Sequence, residues 1–356
     1  MNRFILVVII IGFYSQSVFS QDRDSINNYD DVCFCNVRLA HPEGILRLDN
    51  NKEILFALKN EKTLHQLDKL GIAHSESQIK LLQLSGLIEK KDSLYQTIIP
   101  IFSEYDTKQL RDKTKKIAEN IIPLFQNDYE NFLSILNSKG LAKNSYSIFF
   151  AFVLDGLVWD ILENNGDISD MNITKEKPFW NGVFWMLKPK RDFSCGTNSL
   201  SSDNFSINVN WSDNSQIKIS SYKLLREFLN DYDKNEKITQ IKYFEEFRKN
   251  NFFNEKGEIQ IPVIIKDGSD IIYIESKKIA NTVVEYLSKE IDYTSFLTEY
   301  PNLSKGQKII ILYHEIMWDI LDIMENNKLL KKPIAFGEPM KAKDKDLKDL
   351  VFIVKK

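Results

Sequence analysis

The sequence predicts a helix-rich α+β fold in which one helical module, carrying a small β-hairpin, is written twice around an aromatic β-rich insert. Three observations point to it. Lys115 opens KKIAENIIPLF and Lys277 opens KKIANTVVEYL. Pro100 precedes Ile117 by 17 residues and Pro262 precedes Ile279 by the same 17, without a gap. Apolar residues recur at helical spacing in the long segments and alternate, as strands do, in short ones.

The correspondence extends in both directions. Upstream, GLIEKKDSLYQ matches NFFNEKGEIQ, and before them stand QIKLL at Gln78 and QIKYF at Gln240. Downstream, FFAFVLDGLVWDIL ends at Leu162 and IIILYHEIMWDIL at Leu321. Trp159 lies 42 residues after Ile117 and Trp318 lies 39 after Ile279, so one three-residue indel relates them. Five ordered landmarks over about 85 residues are the signature of a repeat. The chain accordingly divides into a signal peptide (1–20), an N-terminal segment (21–59), a first module (60–165), the insert (166–220), a second module (221–327) and a tail (328–356) with a short strand.

Within the first module, 61–71 and 76–90 carry helical spacing, with Ser75 as N-cap. SLYQTIIPIF alternates and reads as one strand, placed at an edge by Pro100. DTKQLRDKTKKIAENIIPLF is an amphipathic helix capped at Asp106 or Thr107, which Pro123 kinks or ends. YENFLSILNSKG follows as a further helix closed by Gly140, and SIFFAFVLDGLVWDILENNG as a buried helix ending at a glycine. Two helices followed by a hairpin resemble a winged helix in outline, over about 40 residues per copy, with Lys256-Gly257 as the turn of the second hairpin. Winged helices also serve as protein-binding scaffolds, so the outline does not imply DNA binding.

The insert, KPFWNGVFWMLKPKRDFSCGTNSLSSDNFSINVNWSDN, holds Trp180, Trp185 and Trp211. FWNGVFWML and FSINVNWS alternate as strands, and SCGTNSLSSDN reads as the long loop between them. Trp, Asn and Ser in such a stretch bind peptides or sugars by stacking and adaptable hydrogen bonds, or glue the modules together. Trp180, Trp185, Trp211 and Asn198, with Asp155, are therefore the candidate ligand contacts.

The first twenty residues, MNRFILVVIIIGFYSQSVFS, have a basic Arg3, an apolar run from Ile5 to Tyr14 and a cut before Gln21. That predicts a secretory signal peptide and a periplasmic or extracellular protein, with an uncleaved anchor as the rival. No later segment reads as long and apolar enough to span a bilayer. Loss of Arg3 takes the formal net charge from −3 to −4, which argues against a nucleic-acid partner, as does a wing offering only Lys90 and Lys91. Residues 21–31 and 341–349 are too polar to bury much.

The three cysteines, Cys33, Cys35 and Cys195, leave one thiol over from any pairing. A bridge from Cys195 to either of the others stays open, as do free thiols. None of His41, His65, His74 and His314 forms HExxH or stands at metal spacing to a cysteine, so no metal is expected. None of the 13 glycines builds a phosphate-cradling loop, and no cofactor is expected. His314 and Glu315 interrupt an apolar helix where the first copy has Asp155-Gly156, and Asp160 and Asp319 follow the paired tryptophans. Each reads as a satisfied core group or as acid–base machinery. Cys195 with His314, and Asp319 or Asn281 to orient it, is the one nucleophilic arrangement available. The sequence thus points first to an exported protein binding a peptide, protein or glycan. Its alternative is a cell-envelope or extracellular hydrolase working in a cleft between the modules with Cys195, His314, Glu315 and Asp319.

Overall fold

A computed structural model describes residues 26–168, 171–213 and 221–356; the signal-peptide expectation lies outside the described residues. Helix (51%) outweighs strand (16%), and the strands form several small sheets, so the fold is α+β. The chain forms two units: Met1–Leu110 with Ser169–Arg191 and Leu297–Ile311, and Arg111–Ile168 with Asp192–Phe296 and Leu312–Lys356.

In the first unit β1 (Asp30–Val37) and β2 (Ile88–Lys91), β3 (Leu94–Thr97), β4 (Ile101–Phe102) and β5 (Trp180–Leu187) form two sheets. β5 is central in one, antiparallel to β1 and parallel to β4; β2 and β3 make a hairpin. The stretch expected as one strand is therefore two, in different sheets, with Pro100 at the break. Pro100 has no N–H to give to a ladder, and its carbonyl accepts from Met186 N at 3.0 Å. Thr63 with Gln66 and Ser75 with Gln78 form capping boxes that start the helices Leu64–Lys69 and Glu76–Leu84. The second helix ends at Leu84, short of the predicted 90, because Gly86 takes φ 70° and Leu87 N turns back to Leu82 O at 3.0 Å. Ile45, Leu46, Ile54, Leu82, Phe184 and Met186 lie in the core that these elements share, and Trp185 is fully buried.

In the second unit β6 (Cys195–Ser201), β7 (Phe205–Ser212), β8 (Val263–Ile265) and β9 (Val351–Lys355) form one sheet in the order β6-β7-β9-β8. Residues 195–201, expected as loop, are thus a strand, and the two aromatic strands of the insert belong to different sheets. The C-terminal strand sits between two neighbours. The polar tail before it is packed: Leu347 and Leu350 are buried, Asn144 Nδ2 donates to Lys348 O and Ser147 Oγ to Asp349 O.

The helix Glu104–Ser138 begins on a Ser103–Asp106 cap, one turn earlier than predicted, and runs through Pro123 into what was expected as a separate helix. Pro123 and Glu119, one turn before it, are both exposed, so the carbonyl deprived of its N–H is open to water. Gly140 (φ 72°) ends the helix. The apolar run Ser145–Asn164 is helical and buried, π-helical over Phe149–Leu157, and ends at Gly166 as predicted. Contrary to the sequence expectation, Ala142–Asn164 is long and apolar enough to cross a membrane by length and composition; 78% of its apolar window is buried within the protein. Residues 88–97 form a two-stranded hairpin, whereas the segment around Gly257 holds a single bridge, Phe253 to Ile259.

Candidate functional site

In the first unit, the end of the Glu76–Leu84 helix, the loop before β4 and the start of β5 enclose a cavity of about 180 Å³. Ser85-Gly86 forms one wall, Ile98 and Pro100 another, and Phe179, Trp180 and Phe184 a third, with Gln307 beside them. The third wall is fixed by the backbone: Phe179 O accepts from Arg38 N and Leu39 N at 3.0 and 3.2 Å, and Trp180 meets Phe184 edge to face at 6.4 Å. Between those rings Gly182 has φ 148°, and a Cβ there would stand 2.2 Å from Phe34 O, so only glycine lets β1 and β5 approach here. Trp180 is 8% exposed and its buried Nε1 has no hydrogen-bond partner among the described residues. Leu84 and Ile98, about half exposed at 49% and 47%, give the lining an apolar rim, and Glu176 and Lys177 add charge. Small-molecule sites span about 300–1,000 Å³. A cavity this size therefore takes one amino-acid side chain or one sugar ring.

The other candidates fall elsewhere. Trp185 is fully buried, beyond a ligand's reach. Trp211 and Asn198 belong to the second unit: Trp211 lies across Gly196, where a Cβ would meet its ring at 2.4 Å, and Asn198 Nδ2 donates to Tyr222 Oη at 2.7 Å. Of the predicted contacts Trp180 alone lines the cavity. Gly86, Ile98 and Gln307 were missed; the Ser-Gly helix stop and the Ile-Pro strand break were the signals that two walls turn there.

Asp155, His314, Glu315 and Asp319 lie in the helical part of the second unit. Trp159 Nε1 donates to Asp155 Oδ1 at 3.3 Å and Trp318 Nε1 to His314 Nε2 at 3.4 Å, the same one-turn bond in both WDIL helices. With Nε2 accepting, His314 carries its proton on Nδ1, 3.3 Å from Glu315 Oε1. Glu315, 1% exposed, also accepts from Arg111 Nε at 2.9 Å, and Thr114 Oγ1 donates to Asp319 at 2.7 Å. Asp160, which follows Trp159 as Asp319 follows Trp318, instead pairs with Lys266 at 2.6 Å, half exposed. The two Trp-Asp pairs therefore have unlike surroundings and do not form matched acid–base carboxylates.

Burial pushes Asp155 up to about 6, against the opposing pull of the Trp159 N–H and of His314. Between the ordinary value near 3.8 and about 6 the folded state holds a proton that the unfolded state has lost. This contribution to stability is thus complete below about 3.8 and lost as pH rises through about 6. Asp155→Asn, which keeps the acceptor for Trp159, should flatten that slope and raise stability at pH 7 by about 1–2 kcal/mol. Each tenfold change in proton affinity is worth about 1.4 kcal/mol, reduced here by partial solvent access. Urea unfolding at pH 4, 5.5 and 7 reads the effect, and parallel curves for the two proteins would refute it.

All three cysteines are free thiols. Cys195 is buried in β6 with Sγ 3.8 Å from Tyr146 Oη, and burial pushes the thiol well above its ordinary range, disfavouring the thiolate a nucleophile needs. Asn281 is exposed on the helix Ile271–Glu290. The sequence set no histidine beside a cysteine; the fold does, bringing His41 Nε2 to 3.2 Å from Cys33 Sγ. Searches of protein-family models, curated proteins and solved structures find no match to this chain.

Proposed function

We propose that the chain is an exported binding protein that seats one apolar side chain of a peptide or protein, or one sugar ring of a glycan, in the Trp180 cavity. The observation that carries this reading is a side-chain-sized cavity walled by Phe179, Trp180 and Phe184 and rimmed by the half-exposed Leu84 and Ile98. Burying one apolar side chain or ring face there removes it and the rim from water, worth about 1.5–3 kcal/mol. Export rests on residues 1–20. Hydrolysis is the weaker alternative, because Cys195 is held as a neutral, buried thiol.

The test is to probe peptide and glycan arrays with the chain lacking residues 1–20. Wild type should capture a defined subset, and Ile98→Asp and Leu84→Asp, each of which puts a charge on the apolar rim, should both lose it. Arrays without a binder, or binding indifferent to both substitutions, would sink the proposal.

We also infer that the duplication is longer than the sequence landmarks. Four matched pairs support this. Pro100 O accepts from Met186 N at 3.0 Å and Pro262 O from Ile353 N at 2.8 Å. Short strands follow both prolines and run parallel to β5 and β9, which are antiparallel to β1 and β7. Leu87 N donates to Leu82 O at 3.0 Å and Phe252 N to Phe247 O at 2.9 Å, with Gly86 and Asn251 before them both at positive φ. Tyr29 packs edge-on against Phe56, and Phe205 against Tyr232. Each copy would then open with a strand, β1 or β7, and close with its antiparallel neighbour, β5 or β9. Gln78 and Gln240 do not fit this scheme, since one lies in a helix and the other before a turn. Hydrogen exchange checks the reading: the Met186 and Ile353 amides should be protected as a pair, and protection of one alone would contradict it.

A further inference from the structure

We propose that Cys33, Cys35 and His41 form a binding site for a thiophilic divalent metal ion of the zinc class. The pleat of β1 turns residues two apart to one face, so Cys33 and Cys35 present their sulfurs together. His41 brings a third donor from the next element. One ligand atom from each residue lies within 4.8 Å of the other two, and His41 Nε2 is 3.2 Å from Cys33 Sγ. Tetrahedral zinc, with bonds of about 2.3 Å to sulfur and 2.0–2.1 Å to nitrogen, needs these atoms roughly 3.5–3.8 Å apart. Side-chain rotation of about an ångström achieves that.

Neighbouring groups hold the three donors in place. His41 is the N-cap of the helix Pro42–Leu46, with extended φ and ψ and its Nδ1 accepting from Glu43 N at 3.3 Å. Nε2 is thereby left facing Cys33. When Nε2 binds the ion its proton moves to Nδ1, which gives up the bond from Glu43 N and turns toward Glu43 Oε2, now 3.9 Å away, while Glu43 Oε1 is held by Arg47. Gly182 is the β5 partner of Cys35, and a Cβ there would stand 2.7 Å from Cys35 Cβ; glycine is what leaves Cys35 its position. Both sulfurs are half buried against the first unit's core and His41 is exposed, so an ion has a route from solvent.

Two thiolates and one imidazole are soft donors, which favour zinc-class ions over magnesium or calcium, and two negative charges balance the ion. Binding forms two metal–sulfur bonds and one metal–nitrogen bond and releases two thiol protons. It leaves a fourth position for water or an incoming ligand. A Cys33–Cys35 disulfide competes poorly. Two extended residues span about 6.6 Å between Cα atoms, near the end of the 4.4–6.8 Å range that disulfides tolerate.

The experiment is titration of the reduced full chain with zinc, followed by proton release and competition with a chelator, and with cobalt as a coloured probe. One ion per chain, two protons released and a cobalt–thiolate absorption band are expected. Cys33→Ser and Cys35→Ser should weaken zinc binding about tenfold or more, Cys195→Ser should leave it unchanged, and circular dichroism checks that each variant is folded. The exposed His41→Gln, which leaves the core intact, should also weaken binding. No binding, cobalt spectra without the thiolate band, affinity indifferent to Cys35→Ser and His41→Gln, or purification with Cys33 and Cys35 already bridged would each overturn the proposal.

Discussion

Deletion of residues 351–356 is expected to leave the second unit unable to fold. β9 lies between β7 and β8, so its removal strips the ladders on both sides and splits a four-stranded sheet. Val351, Phe352, Ile353 and Val354 are all buried. Burying a large apolar side chain contributes about 1.5–3 kcal/mol, so the four contribute roughly 6–12 kcal/mol, against a total stability of about 5–15 kcal/mol for a typical domain. The lost strand also provides the donor for Pro262 O and the acceptor for Lys266 N, at 2.8 and 2.9 Å. The truncated chain should show no cooperative thermal transition for this unit and should be digested rapidly by protease. Ile353→Ala offers a graded version, with an expected loss of about 2–5 kcal/mol. A truncated chain melting within a few degrees of the intact one would show that β9 is dispensable.

That strand also marks the limit of what the sequence carries. A short unbroken apolar run identifies Leu350 to Val354 as a strand, yet an edge and a centre position read alike, because the partners are some 90 and 145 residues away in the chain. Local chemistry was legible. Ser75 caps its helix, and Gly140 and Gly166 end theirs, because those signals act within a turn or two. Pro123 misled because its cost depends on which side of the helix it faces, and it faces water. Residues 195–201 misled because Ser, Asn and Gly have little strand propensity of their own; pairing with β7 supplies the conformation. The cavity was half legible. Trp180 and Trp211 look alike in sequence, and only the fold buries one against Phe184 and lays the other across Gly196. Cys33, Cys35 and His41 needed the strand's pleat and a helix cap to meet, so no spacing rule disclosed them.

Arg111→Met tests the buried polar cluster, with an expected loss of about 3–5 kcal/mol, the usual cost of stranding one member of a buried ion pair. The carboxylate of Glu315 is almost fully enclosed, while Arg111 keeps some solvent contact, so the burden of the missing partner falls on Glu315. His314 Nδ1, at 3.3 Å, offsets part of it with a hydrogen bond but brings no guanidinium charge. Charge and packing separate in the double variant. Arg111→Met with Glu315→Gln replaces the carboxylate by a neutral amide of the same shape and should recover most of the loss. Full replacement by apolar side chains, Arg111→Met with Glu315→Leu, should match wild type or exceed it by about 1–4 kcal/mol. Denaturant unfolding at neutral pH measures all three. If the single variant loses less than about 1 kcal/mol, or if Glu315→Gln fails to rescue it, the ion pair is not what holds these helices. The stability of the second unit would then rest on its apolar packing alone. If the rescue succeeds, Glu315 is a structural anchor, and a catalytic part for it loses its main physical support.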